Sequence, residues 1–172
     1  VMAIGRTFRE SIQKAFRSLE VGIDGLEPKW AYEKDPELKR ARSFDLTSLR
    51  FATSFRLLKI REAFLSGKTV EDIFEITKID RWFLHQIQLI CNEDFSSPIK
   101  QLKENGFSDA QVARNTQNSV EKVRENRIKN EIYPSYKLVD TCSAEFKAKT
   151  PYCYSTYDEE NEIAPLKGKK IM

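Results

Sequence analysis

The chain has 172 residues, 32% of them charged and 40% in the broad hydrophobic set, with 29 basic against 26 acidic residues. That length suits one medium domain, and no apolar run approaches the roughly 18 residues that a membrane span needs. A net charge of +3 is too balanced to imply a polyanion partner, and six glycines and six prolines are few enough to favour helix.

The N-terminal stretch Val1-Met2-Ala3-Ile4-Gly5 lacks the basic and apolar regions of a signal peptide. Thr7-Phe8-Arg9-Glu10 has the form of a capping box, in which the hydroxyl accepts from a free backbone N–H and the carboxylate reaches back to the cap. Phe8, Ile12, Ala15, Phe16 and Leu19 follow at helical spacing, with Gly22 as a stop. From Gly25 to Asp45 the text is polar and irregular, and a short helix is expected at 36–42.

The next helix is expected over 48–66, ending at Gly67. At ~100° per residue it carries two apolar stripes rather than one. Leu49, Ala52, Leu57, Ile60, Ala63 and Phe64 form the broad one, and Phe51, Phe55, Leu58 and Leu65 lie nearly opposite. A surface helix needs one apolar face, so the second stripe predicts contact with another chain or domain.

Thr69 with Asp72 opens a short helix through Thr77, and Asp80 caps another from Arg81 to about Asp94. Phe83, Leu84, Ile87, Ile90 and Cys91 make its core face, while Trp82 and Leu89 form a separate patch. Ser97-Pro98 starts a further helix that Asn105-Gly106 stops. Ser108 with Gln111 caps the next, and Asn118 or Ser119 caps a final one containing Val120, Val123 and Ile128. Segment 67–89 repeats at 106–128: Gly67 matches Gly106, Thr69 matches Ser108, Ile73 matches Val112, Asp80 matches Ser119 and Leu84 matches Val123. The expected fold is therefore mostly α, a compact bundle of helices with two tandem helix–turn–helix hairpins.

From Tyr133 onward comes an irregular aromatic-rich C-terminal segment, with five of the six tyrosines within 133–157 and a short strand expected at Tyr136–Val139. Asp158-Glu159-Glu160-Asn161-Glu162 reads as a solvated acidic run.

No catalytic constellation emerges. The glycines are isolated helix stops, so there is no phosphate loop, and neither G-x-S-x-G nor H-E-x-x-H occurs. Cys91, Cys142 and Cys153 are widely spaced, with no C-x-x-C, and His85 stands alone, which argues against a zinc site or a disulfide framework. The thiols read as buried structural groups in a reducing, cytoplasmic setting. Ser108–Ile128 has the outline of a DNA-binding helix-turn-helix, with Lys122, Arg124, Arg127 and Lys129 on its second helix. Glu121 and Glu125 on that helix would face phosphates, which leaves nucleic-acid binding as the alternative rather than the leading reading.

Several ordered stretches carry a family resemblance. Val1–Phe8 with Ser11-Ile12-Gln13-Lys14-Ala15 resembles the large subunit of carbamoyl phosphate synthetase where its first ATP-grasp unit ends. Thr77–Leu84, Gly106-Phe107-Ser108-Asp109 and Tyr136–Phe146 are similar to that family's central helical domain, and Thr150–Glu162 to its exit into the second half. The pattern departs over 23–47.

The resemblance implies that 1–22 is the C-terminal helix of the preceding ATP-grasp unit, 23–157 a helical oligomerisation domain and 158–172 a linker into the second half. It implies that both ends continue into flanking sequence, and a non-catalytic scaffold within an ATP-dependent, glutamine-hydrolysing ligase that makes carbamoyl phosphate from bicarbonate, ammonia and ATP. No catalytic, cofactor or metal residue of the family maps here; ATP and Mg belong to the parent enzyme. Expected partners are the flanking ATP-grasp domains, a second copy and the glutaminase subunit or domain, with no nucleic acid and no membrane. Phe51, Phe55, Leu58 and Leu65, with Trp82 and Leu89, are the expected interface.

Overall fold

Most helix starts among the described residues are set by side-chain caps, and the computed structural model, which describes residues 1–26, 45–143, 145–146 and 152–163, places them in order. Thr7 accepts from Glu10 N–H and opens α1, Phe8–Arg17. Asp45 caps a 3-10 turn, Leu46–Arg50, and α2 runs from Arg56 to Leu65. Thr69 and Asp72 form a capping box at α3, Val70–Thr77, and Asp80 caps α4, Arg81–Cys91. Then come α5, Ile99–Glu104, and α6, Asp109–Asn115, the latter opened by the Ser108–Gln111 capping box. Ser119 caps α7, Val120–Lys129. The helix expected at 36–42 lies outside the described residues, as do Lys147, Lys149 and 164–172.

The helix expected over 48–66 is interrupted. Phe51 is extended at φ −94° and ψ 131°, and a turn through Thr53 re-enters helix at Arg56. Thr53 and Ser54 are poor helix formers, and a tertiary bond decides the matter. Arg56 folds back to donate to the Leu49 carbonyl at 2.8 Å and to the Thr77 carbonyl at 3.0 Å, which holds the 3-10 turn against α3. The break also changes the phase of the apolar stripes. Near the N-terminus, α1 ends at Arg17 rather than reaching Leu19, which is exposed.

One hydrophobic core joins the helices. Ile12 and Phe16 of α1, Leu49 of the 3-10 turn, Ile60 and Phe64 of α2, Ile73 of α3, and Leu84, Ile87 and Ile90 of α4 are all buried within it, as are Leu102, Phe107, Val112 and Val123. Each such side chain contributes roughly 1.5–3 kcal/mol through removal from water.

The sequence repeat is a structural repeat, and it is longer than the sequence suggests. Both copies begin in the preceding helix: Lys68 N–H donates to Ala63 O at 3.0 Å, and Phe107 N–H to Leu102 O at 3.1 Å. This is the Schellman arrangement, with Gly67 and Gly106 left-handed at φ +82° and +86°. Thr77 and Thr116 each donate to the carbonyl four residues back, both at 2.8 Å, and Lys78 and Gln117 share φ 54°. The repeating unit is thus α2–α3–α4 followed by α5–α6–α7.

The C-terminal segment carries more order than expected. Ser135–Val139 (β1) pairs antiparallel with Tyr152–Thr156 (β2), Ser135 opposite Thr156 and Val139 opposite Tyr152. Alternating aromatic and small polar residues suit such a half-exposed ladder. The free edge of β1 is covered locally. Asn161 Oδ1 accepts from Tyr136 N–H at 3.2 Å, and Glu162 Oε2 from Leu138 N–H at 2.8 Å.

Candidate functional site

The two ends of the described chain meet on α1. Glu10, whose side chain is 2% exposed, accepts through Oε2 from Arg6 N–H at 2.6 Å and from the Thr156 hydroxyl at 3.1 Å. Its Oε1 pairs with Lys14 Nζ at 2.7 Å, one turn along the same helix. Lys14 Nζ also donates to the Ile4 carbonyl at 3.0 Å and to the Ser155 carbonyl. Outside this knot, Arg6 Nε lies 3.2 Å from Asp158. Residues 4–6 and 155–158 are therefore stitched side by side by one buried acid and one lysine. The expected capping box is altered accordingly: Glu10 bonds the N–H of Arg6, one residue before the cap.

The helix bearing this clasp is docked closely on the second repeat. A Cβ at Gly106 would come within 2.7 Å of the Glu10 Cα, so backbone meets backbone there. Arg17 then donates to the Gly106 carbonyl at 2.8 Å.

A second cluster ties the C-terminal segment to the same repeat. Asp109 pairs with Lys103 Nζ at 2.8 Å and Arg127 Nη2 at 3.2 Å, and all three side chains are largely buried. Burial alone would push the Asp109 carboxyl up, but the hydrogen bonds and charges of Lys103 and Arg127 together hold it below the usual carboxylate range. Burial pushes the Lys103 ammonium down, against the pull of Asp109. The Tyr157 ring lies over both cations, 5.0 Å from Lys103 Nζ and 5.7 Å from the Arg127 guanidinium carbon. Farther along, Lys137 sits between Asp158 at 3.5 Å and Glu162 at 3.6 Å, and Lys100 meets Glu159 at 3.1 Å. The acidic run is solvent-facing yet tethered at three points.

The six expected interface residues do not share one surface. Leu58 is 3% exposed and belongs to the core rather than to an outer surface, because α2 is enclosed on nearly every side: Leu58, Ile60, Arg61, Glu62, Ala63 and Phe64 are all buried. Phe55 is half-buried against the core. Phe51, at the bend, and Leu65, at the end of α2, are exposed. Trp82 (54% exposed) and Leu89 (36%) lie two turns apart on the outer face of α4. Phe83 joins them there rather than the core: Phe8, Trp82 and Phe83 stack edge-to-face with ring centres 5.0 to 5.7 Å apart.

The recognition-helix outline is weakened by the same geometry. Arg127 is committed to Asp109 and the Ile132 carbonyl, and Glu121 and Glu125 remain exposed on α7. Among the described residues no group of His, Cys, Asp and Glu is placed to hold a metal, and no helix is long and apolar enough to cross a membrane.

Residues 1–131, which contain both repeats and α1, match the family described as carbamoyl-phosphate synthetase large chain, oligomerisation domain. The chain belongs to that family. Carbamoyl phosphate synthase large chains of Pseudomonas aeruginosa and Myxococcus xanthus are 44% and 42% identical over all of it. The chloroplastic arginine-specific large chain of Arabidopsis thaliana is 41% identical over 99% of it. The chain spans only 15–17% of the length of these relatives.

Glu10, Lys14, Asp109 and Thr156 were not singled out by their spacing. Glu10 reads as an ordinary cap, and its partner Thr156 stands 146 residues away. Only the fold brings such residues together.

Proposed function

We propose that this oligomerisation domain is the joint between two ATP-grasp halves of a glutamine-dependent carbamoyl phosphate synthase. In this reading 1–22 closes the preceding unit, 23–157 forms the body and 158–172 leads into the second half. The parent polypeptide makes carbamoyl phosphate from bicarbonate, glutamine-derived ammonia and ATP in the cytoplasm. ATP and Mg are held by the flanking halves, and a glutaminase subunit or domain supplies ammonia. The observation that carries the joint is the clasp: Glu10 and Lys14 fix the incoming and outgoing chain to one helix, so neither flank swings independently of the body. The test uses the full-length large chain. Glu10→Ala should lower coupled synthesis at least several-fold while each half keeps its own ATP-dependent phosphorylation; unchanged coupling refutes the joint.

The second part of the reading is self-association through the Trp82–Phe83–Leu89 face of α4, with Phe51 and Leu65 as further contacts. Exposed aromatic side chains clustered on one helix are the residues most often central to interfaces. Light scattering of the full-length chain should show a concentration-dependent oligomer whose mass falls with Trp82→Asp and Leu89→Asp. A strict monomer in the unmodified protein sinks this part.

A further inference from the structure

The two repeats share the hydrogen bonds and φ values of their turns but differ in how they are covered. In the first copy, the 3-10 turn Leu46–Arg50 seats Leu49, which is fully buried, against α2 and α3. Arg56 and the Thr77 carbonyl mark that seat, because the guanidinium bridges Leu49 O and Thr77 O. Thirty-nine residues on, their counterparts are Phe95 and Thr116. Both line an open groove of about 530 Å³ between α5, α6 and α7.

The groove has an apolar floor of Phe95, Ile99, Leu102, Val112 and Val123. Its far wall is polar, because α7 has Asn126 and Lys129 where α4 has the buried Ile87 and Ile90. Among the described residues the second copy has no counterpart of that 3-10 turn; its own turn, in which Ser97 N–H donates to the Asp94 carbonyl, lines the groove instead of filling it. The residues that correspond to 46–50 are 85–89, and they are already spent inside α4. Whatever fills the groove must come from beyond the two repeats. The curated relatives have about five-sixths of their length outside the matching region.

We propose that this groove receives a helical turn from the part of the same polypeptide that lies outside the 172 residues, a turn with two aliphatic side chains three residues apart and an acidic residue. The aliphatic pair is specified by what Leu46 and Leu49 do in the first copy. The acidic residue is specified by the rim, where Lys122 and Lys129 outnumber Glu125. The inference rests on the joint reading, since it requires flanking polypeptide.

The experiment is amine labelling and lysine cross-linking of the full-length protein, read by mass spectrometry. Lys122 and Lys129 should label at least five-fold more slowly than the exposed Lys78 of the first copy. They should cross-link to one acidic segment outside 1–172 that carries aliphatic residues at i and i+3. Asn126→Trp, which fills the groove from the α7 side without touching the core, should abolish those links while Lys78 labelling stays the same. Labelling of Lys122 and Lys129 at the Lys78 rate overturns the proposal. Links between isotopically distinct copies in a mixed oligomer also overturn it, by assigning the groove to a second copy, and links to 27–44, 147–151 or 164–172 overturn it by assigning the groove to this chain's own residues. A full-length protein that makes carbamoyl phosphate yet leaves both lysines free fails this inference alone; one that makes none fails the joint reading first.

Discussion

Replacing Glu10 by Ala tests the clasp most directly. The carboxylate is almost fully buried and has three partners: Lys14 Nζ at 2.7 Å, Arg6 N–H at 2.6 Å and the Thr156 hydroxyl at 3.1 Å. Removing one member of a buried ion pair costs about 3–5 kcal/mol, because the other charge stays desolvated. The two further hydrogen bonds would each count for roughly 1.5–3 kcal/mol alone, but groups sharing one atom are not additive. Lys14 retains two carbonyl acceptors and about a fifth of its exposure, which limits the loss. A total of about 4 kcal/mol is expected, equivalent to roughly 8–16 °C in melting temperature for a chain of this size. Urea unfolding followed by circular dichroism gives the energy. Hydrogen exchange gives its location, with faster exchange expected at Arg6 and its neighbours and across Tyr154–Thr156. A loss below about 1 kcal/mol, or unchanged exchange at both chain ends, would refute the reasoning.

The paired glycines separate conformational strain from steric contact. Gly67→Ala meets nothing nearby and should cost about 1 kcal/mol, whereas Gly106→Ala drives a methyl into the Glu10 backbone and should cost about 3 kcal/mol or more by denaturant titration. Asp109→Asn should destabilise most at neutral pH. A carboxylate held below its unfolded value contributes stability above that value and loses it as pH falls, so the gap to the unmodified protein should narrow below the ordinary 3.8. A gap constant from neutral to acid pH would dismiss the pairing. Burial pushes the Cys91 thiol up to about 12, so an alkylating reagent at neutral pH should modify the exposed Cys153 first and reach Cys91 only on unfolding.

Local features were legible because local chemistry decides them. Thr69, Asp80, Ser108 and Ser119 cap the helices that their sequence positions indicate, since a short hydroxyl or carboxylate meets a nearby N–H whatever the tertiary setting. The 39-residue repeat was visible for the same reason. The split of 48–66 was not, because it depends on Arg56 finding the carbonyls of Leu49 and Thr77. Helical phase alone then misplaced Leu58, and it put Phe83 in the core when the ring of Phe8 draws it to the surface cluster. The clasp was invisible for a different reason: its residues are common types with no motif, joined only across the whole chain.

That long reach bears on how the molecule assembles. Each repeat is built from contacts close in sequence, so its hairpins form with little loop entropy to overcome. Bringing Ser155 to Lys14 closes a loop of 141 residues, at an entropic cost of about 4 kcal/mol on the logarithmic scaling of loop closure. The stitch between incoming and outgoing chain is therefore the late step, taken once the repeats and α1 have already shortened the gap. On a ribosome, the repeats would be complete before Ser155 emerged. In the joint reading proposed above, the second ATP-grasp half would begin to fold beside a finished body.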